Sequence, residues 1–230
     1  MQNETNSTAH NQDEIAKLEA DIREAIAHGG DVKETVRQLT LKAMHAKSLD
    51  PESLGRIAAA VMQGAHDGAQ QKLQLASEQT HTAQAQISNA VSGLDTAFAQ
   101  FAGASKLALE EAAGKAQQFS REELTKTRAD LEALEDLFLD VVKRTASAAE
   151  GVIADTLNDL LAHAIRNGTA IGAQLQDTLA TFSHQIGSVG HAQFEAGLQL
   201  TQATADLLHK IATGVLTGIS EQTSKSGSQK

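Results

Sequence analysis

Hydrophobic residues near the start of the chain recur at the spacing of one helix face. In the segment 13–28 they stand three or four positions apart, at Ile15, Leu18, Ile22 and Ile26. Gly29-Gly30 is expected to end this helix, and Asp31 followed by Glu34 is typical of a new helix start. We therefore predict a helical hairpin over residues 13–50, preceded by a polar, disordered tail over residues 1–12.

The next helix start is marked by the residues around Pro51. Asp50 is a good N-cap residue, and Pro51 falls at the first helical position, where its missing N–H breaks no hydrogen bond. Pro51 is the single proline of the chain. We therefore predict long helices throughout residues 51–219 and a second disordered tail over residues 220–230.

A period of eleven residues dominates this long-helix region. Stepping by eleven from position 87 to position 219 gives 13 positions, and ten of them carry large hydrophobic side chains. We call these ten residues the apolar stripe: Ile87, Phe98, Leu109, Leu131, Val142, Ile153, Leu175, Ile186, Leu208 and Ile219. Because eleven residues make three turns of about 3.67 residues each, the stripe runs almost parallel to the helix axis. The pattern predicts an all-α fold, either an elongated bundle or kinked rods.

An unbroken helix over this region would be about 200 Å long, so breaks are expected. Ser120 and Glu123 have the spacing of a capping box. Asn167-Gly168-Thr169 indicates a helix end followed by a new start, and Gly187-Ser188-Val189-Gly190 is a further candidate break. Each of the three places is also compatible with a kink inside a continuous helix.

Three Gly-x-x-x-Gly steps predict close contacts between helices. The pairs are Gly64–Gly68, Gly168–Gly172 and Gly214–Gly218. Each pair places two residues without side chains on one helix face, so that a second backbone can approach closely. The alternative interpretation is that these steps arise by chance.

Composition and charge restrict the classes of function. The chain has no cysteine, which excludes disulfides, thiolate metal sites and a cysteine nucleophile. It carries 19 basic and 29 acidic residues, a net charge of −10, so nucleic acids and anionic membranes are not expected as partners. No hydrophobic run is long enough for a transmembrane segment, and the first residues do not resemble a signal peptide, so we expect a cytoplasmic protein.

The sequence contains no recognisable catalytic, cofactor or metal-binding motif. Nearest to a metal site are the step Glu78-x-x-His81 and its aspartate version Asp206-x-x-His209, which are more simply surface residues of two helices. A further candidate is the series Asp155, Asp159 and His163, which follows one line of a helix and could bridge a divalent cation. A solvated helix face explains the same series more simply. We therefore expect no catalytic residues, no cofactor, no metal and no enzyme activity.

Two resemblances add to this picture. The segment Val36–Ala65, VRQLTLKAMHAKSLDPESLGRIAAAVMQGA, together with the alanine-rich helical remainder, resembles an uncharacterised family of proteobacterial proteins. That resemblance implies a helical fold and no catalytic residue. The weakly charged segments Leu73–Ser105 and Asn167–Ile219 resemble in composition the phasins, which coat polyhydroxyalkanoate granules.

Two functions follow as hypotheses. In the first, the chain is a non-catalytic, phasin-like scaffold or coat that self-associates and lays its apolar stripe on a polyhydroxyalkanoate granule or lipid surface. In the alternative, the stripe is the core of a self-contained helical bundle or oligomer that acts as a protein-interaction module. Both hypotheses include a homo-oligomer, and the first adds granule association to the cytoplasmic location.

Overall fold

The structure, a computed structural model, describes residues 2–45, 50–75, 80–114 and 120–192. These residues form seven α-helices, and the all-α class expected from the sequence is confirmed. The helices are α1 (Gln2–His28), α2 (Val32–His45), α3 (Pro51–Leu75), α4 (Thr80–Gly114), α5 (Arg121–Ala148), α6 (Gly151–Asn167) and α7 (Ala170–Ala192). None of the described helices is long and apolar enough to cross a membrane.

The turn between α1 and α2 depends on two glycines and one aspartate. Gly29 and Gly30 have φ values of 79° and 94°, which L-residues with side chains rarely adopt, and they end α1. Asp31 then caps α2, because its Oδ1 accepts a hydrogen bond of 3.1 Å from the backbone N–H of Glu34. The predicted helix end and helix start are both present.

Two further helix starts follow the predicted capping chemistry. At the start of α3, Asp50 Oδ1 accepts a 2.8 Å hydrogen bond from the backbone N–H of Ser53. At the start of α5, the N–H of Glu123 donates to Ser120 Oγ at 3.2 Å, and the N–H of Ser120 donates to Glu123 Oε2 at 2.8 Å. This reciprocal pair is a complete capping box.

Other helix limits differ from the predictions. Residues 2–12 belong to α1, where a disordered tail is expected from composition, because no glycine or proline interrupts the helix before Gly29. The candidate break at Gly187–Gly190 is wrong, since α7 continues through it to Ala192. A break that the sequence analysis misses separates α5 from α6, where Gly151 has a φ of 56°. The break at Gly168 is present, with a φ of 82°.

The chain divides into two compact units. Among the described residues, the first unit comprises those within 2–97 and 136–169, and the second comprises those within 98–135 and 170–192. The boundaries therefore fall inside α4, inside α5 and between α6 and α7. The helices α1 and α2 of the predicted hairpin contact each other within the first unit, where α1 also packs along α3.

The contact between α1 and α3 is made at the first Gly-x-x-x-Gly step. A Cβ placed on Gly64 would lie 2.4 Å from the carbonyl oxygen of Glu19. A Cβ placed on Gly68 would lie 2.7 Å from Ile26 Cβ and 2.8 Å from the carbonyl oxygen of Arg23. Because two of these neighbours are backbone atoms, a side chain at either glycine would force the two helices apart.

A similar close approach joins α2 to α4. A Cβ on Gly93 would lie 2.5 Å from the carbonyl oxygen of Lys33 and 3.0 Å from Val36 Cβ. Gly93 belongs to no Gly-x-x-x-Gly step, although Ala97 stands four residues later. A Gly-x-x-x-Gly step is therefore not the sequence signal that identifies this contact.

We expect Gly64→Ala and Gly68→Ala each to lower the free energy of unfolding by about 1–3 kcal/mol, because the added methyl group overlaps atoms of α1. Gly187→Ala on α7 is the matched control, since a Cβ there would meet no atom of the described residues within 4 Å. The control should be neutral or stabilising by up to about 1 kcal/mol, as alanine favours helix over glycine. Urea unfolding followed by circular dichroism measures all three values. Equal effects at the three positions would contradict the close contact.

An ion pair within α2 joins Arg37 to Glu34, one helical turn apart. The side chain of Arg37 is only 5% exposed, and its Nε donates a 2.8 Å hydrogen bond to Glu34 Oε2. A second hydrogen bond joins Arg37 Nη2 to Glu34 Oε1. The hydrogen bonds from Arg37 lower the pKa of Glu34 below its ordinary value of 4.5.

We expect this pair to make the protein less stable in acid. Because the pKa of Glu34 is lowered on folding, its contribution to stability is present above 4.5 and is lost as the pH falls through the lower pKa of the folded state. The Glu34 side chain is 40% exposed, so solvent screening keeps the contribution small. When the pH is lowered from neutral to below 4.5, the free energy of unfolding should therefore fall less for the Glu34→Gln variant than for the native chain. Identical pH dependences in urea unfolding would contradict the assignment.

Candidate interaction site

An open pocket of about 310 Å³ lies in the first unit, between α4, α5 and α6. Hydrophobic and polar groups both contribute to its walls, and the hydrophobic residues are Val91, Phe138, Leu139, Val142, Leu160, Leu161 and Ala164. Polar side chains complete the lining, at Ser88, Ser92, Asp95, His163 and Thr169. Hydrophobic walls with a few polar groups are typical of sites that bind other molecules.

The pocket arises because α6 packs unevenly along its length. In the first half of the helix, Ile153 and Leu157 are 3% and 0% exposed. On the same face in the second half, Leu160 and Ala164 are only half-buried. The first half of α6 is therefore part of the core, whereas the second half leaves hydrophobic side chains accessible beside α4 and α5.

The apolar stripe lies mostly inside the protein. Seven of its residues are at most 5% exposed: Ile87, Phe98, Leu109, Leu131, Val142, Ile153 and Leu175. Ile186 is half-buried, and Leu208 and Ile219 lie outside the described residues. Within the part of the chain that the structure describes, the stripe therefore packs against neighbouring helices, and Val142 also contributes to the pocket.

The glycine steps have different structural roles. Gly64 and Gly68 face α1, as described above. Gly172 approaches Glu135, whose Oε1 would lie 2.5 Å from a Cβ at this glycine. The prediction that Gly168 packs helices together is wrong: its φ of 82° places it at the end of α6, and a Cβ there would meet no described atom within 4 Å. Gly214 and Gly218 lie outside the described residues.

The candidate cation site on α6 is a solvated helix face. Asp155, Asp159 and His163 are all exposed. Asn167 Nδ2 lies 2.9 Å from His163 Nδ1, so that this amide can donate to the imidazole when Nδ1 is the unprotonated nitrogen. Among the described residues, no group of three or more His, Asp or Glu side chains is placed to hold a metal ion.

The model of a family of unknown function, DUF6781, matches residues 7–225. The chain belongs to this family. No curated protein and no solved structure matches the DUF6781 chain. Since the family has no assigned activity, it transfers no role to any residue, and the function has to be argued from the geometry above.

The site residues predicted from the sequence do not include the accessible hydrophobic residues of α6 that lie off the stripe. Ile165 is 69% exposed, the most exposed of the large hydrophobic residues that the structure describes, and Leu161 is half-buried at the edge of the pocket. The signal that reveals them is the doublet Leu160-Leu161, which makes α6 hydrophobic on two adjacent faces.

We expect the pocket to bind a neutral apolar dye such as Nile red, and Ala164→Phe to weaken that binding at least fivefold. Ala164 lines the pocket, so a phenylalanine there would occupy it. Ala162→Phe is the matched control on the same helix, because Ala162 does not line the pocket. Fluorescence titration measures the affinities, and circular dichroism verifies that both variants remain folded. Unchanged binding by Ala164→Phe would show that the dye binds elsewhere.

Proposed function

We propose that the chain is a non-catalytic, self-contained helical protein that acts by binding other proteins. The observation that supports this proposal is the burial of seven residues of the apolar stripe in contacts between its own helices. A stripe that already forms the core is not available for a granule surface. The proposal therefore favours a protein-interaction module, and it keeps the expected cytoplasmic location.

A coat that bound a granule through the apolar stripe would have to take the stripe residues out of the core. Each large hydrophobic side chain contributes about 1.5–3 kcal/mol when it is fully buried. To place the stripe on a granule, the chain would have to expose Phe98, Leu109 and their neighbours, and thus lose much of the core that holds the helices together. Granule binding through the stripe would therefore compete with folding.

The pocket on α6 supplies a surface suitable for a protein partner. It combines hydrophobic lining residues with serine, threonine, aspartate and histidine side chains. A helix of a partner can place an apolar side chain in such a pocket while its polar side chains bond to the polar lining residues. The partner class that this surface fits is an amphipathic helix.

A phasin-like coat is the second candidate, and one observation favours it. Leu107 and Ile165 are large hydrophobic residues that are 48% and 69% exposed, so parts of the described surface are available to an apolar phase without unfolding. In this candidate, the folded protein would bind a granule through such exposed residues rather than through the stripe.

Two substitutions on α4 distinguish the stripe as core from the stripe as binding face. Phe98 is fully buried, whereas Leu107 on the same helix is 48% exposed. We expect Phe98→Ala to lower the free energy of unfolding by about 3–5 kcal/mol, and Leu107→Ala to change it by less than about 1 kcal/mol. Urea unfolding of the full chain, followed by circular dichroism, measures both values.

Flotation with polyhydroxybutyrate granules and with a neutral triglyceride emulsion completes the test. The native chain should be fully helical and unfold cooperatively without an apolar phase, and should remain in the aqueous fraction. Co-flotation would contradict the interaction module. If helicity rises and Phe98→Ala floats less, the chain binds through the stripe, whereas unchanged helicity and weaker flotation of Leu107→Ala would support the folded coat.

A further inference from the structure

Most of the side chains that α4 contributes to the pocket are polar. Ser88, Ser92 and Asp95 all line it, and because they stand four and three positions apart they follow one face of the helix. Each of the three is half-buried. Their face extends over about 10 Å of α4, since each residue adds about 1.5 Å to a helix. We call these three residues the polar wall.

The two other helices of the pocket contribute mainly hydrophobic side chains. Those of α5 are Phe138, Leu139 and Val142, and those of α6 are Leu160, Leu161 and Ala164. A molecule in the pocket would therefore contact the polar wall of α4 and the hydrophobic side chains of α5 and α6 at the same time. The lining fits a ligand that is apolar along part of its length and polar elsewhere.

The charge of the lining decides which polar group it fits. Its one carboxylate is that of Asp95, and none of the described lining residues is a lysine or an arginine. Lys143 and Arg166 stand close to lining residues in the sequence, but both are exposed and neither lines the pocket. His163 is the other titratable residue of the lining. Because opposite charges attract across a contact and like charges repel, the pocket favours a cation over an anion.

A neutral occupant suits the pocket less well, although it would match the side chains of α5 and α6. It would remove water from Asp95 and from the hydroxyls of Ser88 and Ser92 without offering a donor in return, which is unfavourable for polar groups and most of all for a carboxylate. A long basic side chain meets both requirements, because its methylene groups can lie along hydrophobic residues while its charge is paired.

The polar wall has acceptor positions for such a cation. Asp95 also interacts within the chain, but a carboxylate has about four acceptor positions and can bind a cation in addition. The hydroxyls of Ser88 and Ser92 are further acceptors on the same face. A guanidinium carries five N–H donors in one plane and is more weakly hydrated than an ammonium, so it can bond to several of these oxygens and loses less on leaving water.

We propose that the pocket binds an arginine side chain of the partner's amphipathic helix, with the methylene groups against α5 and α6 and the guanidinium at Asp95. This inference rests on the proposed function and deepens it by naming the residue through which the partner is held. The pocket volume of about 310 Å³ lies at the lower end of the roughly 300–1,000 Å³ of ligand sites. It therefore suits one long side chain, while the partner's helix remains outside.

Two small molecules test the chemistry of the pocket without any variant. Hexylguanidinium and hexylurea have the same length and nearly the same shape, but only the first is charged. The native full chain should bind hexylguanidinium at least tenfold more tightly at pH 8, where an ordinary imidazole is neutral. Isothermal titration calorimetry measures both affinities. Equal affinities, or tighter binding of hexylurea, would overturn the proposal.

Variants locate the cation at Asp95. Asp95→Asn should reduce the preference for hexylguanidinium to less than threefold, and Ala164→Phe should weaken both molecules by occupying the pocket. Asp155→Asn is the matched control, because it removes the same charge from an exposed residue that does not line the pocket. Circular dichroism verifies that each variant is folded. A preference that survives Asp95→Asn, or that Asp155→Asn reduces equally, would overturn the proposal.

A pair of peptides tests whether the cation belongs to a helix. The probe is an alanine- and glutamine-rich helix of about 16 residues with a central arginine and leucines four positions before it and three after it, on the same face. Its control carries citrulline, which has the shape of arginine but no charge. The native chain should bind the arginine peptide at least fivefold more tightly, and Asp95→Asn should bind the two peptides equally.

The outcomes separate this inference from the proposed function. If hexylguanidinium binds at Asp95 but the arginine peptide does not bind, the pocket takes a free small cation, and the assignment to a partner helix is overturned. If the citrulline peptide binds in the pocket as tightly as the arginine peptide, this inference is overturned and the proposed function stands. Co-flotation of the native chain with granules would overturn the proposed function itself.

Discussion

Close contact between helix backbones is the interaction on which this fold depends, because the chain has few large side chains to fill wider gaps. It contains 40 alanines and 17 glycines among 230 residues. On α3, Ala58, Ala65 and Ala69 are fully buried, and Gly64 and Gly68 let α1 approach until its carbonyl oxygens meet the helix surface. Dispersion attraction falls steeply with distance, so small residues stabilise a core only when the helices touch.

The apolar stripe supplies the larger side chains that such a core still needs. Its period of eleven keeps one face of the chain hydrophobic through successive helices, even where the helices break. Ile87, Val142 and Ile153 are buried in the first unit. Phe98, Leu109, Leu131 and Leu175 are buried in the second. One sequence pattern thus provides core residues for two units. A continuous period of eleven therefore does not require that the hydrophobic residues form one long surface.

Local chemistry was sufficient to predict part of this structure, and tertiary packing decided the rest. The helix starts after Asp31, Asp50 and Ser120 follow from side chains that bond to nearby N–H groups. The start of α6 has no such sign, because Glu150 makes no side-chain cap hydrogen bond. The pocket and the exposed Ile165 could not be predicted, since both depend on how far α6 lies from α4 and α5.

A comparison of α2 with α6 shows why α6 is the surface that points to a partner. In α2 the hydrophobic residues Val32, Val36 and Met44 are buried by other helices of the chain, and the exposed positions include Lys33 and Lys42, so that its apolar side chains are already covered. In α6, Leu161 and Ile165 extend the hydrophobic surface beyond the face that the core buries. Exposed apolar area of this kind adds nothing to the fold of a single chain, and together with the neighbouring pocket it is the surface on which the proposed partner would dock.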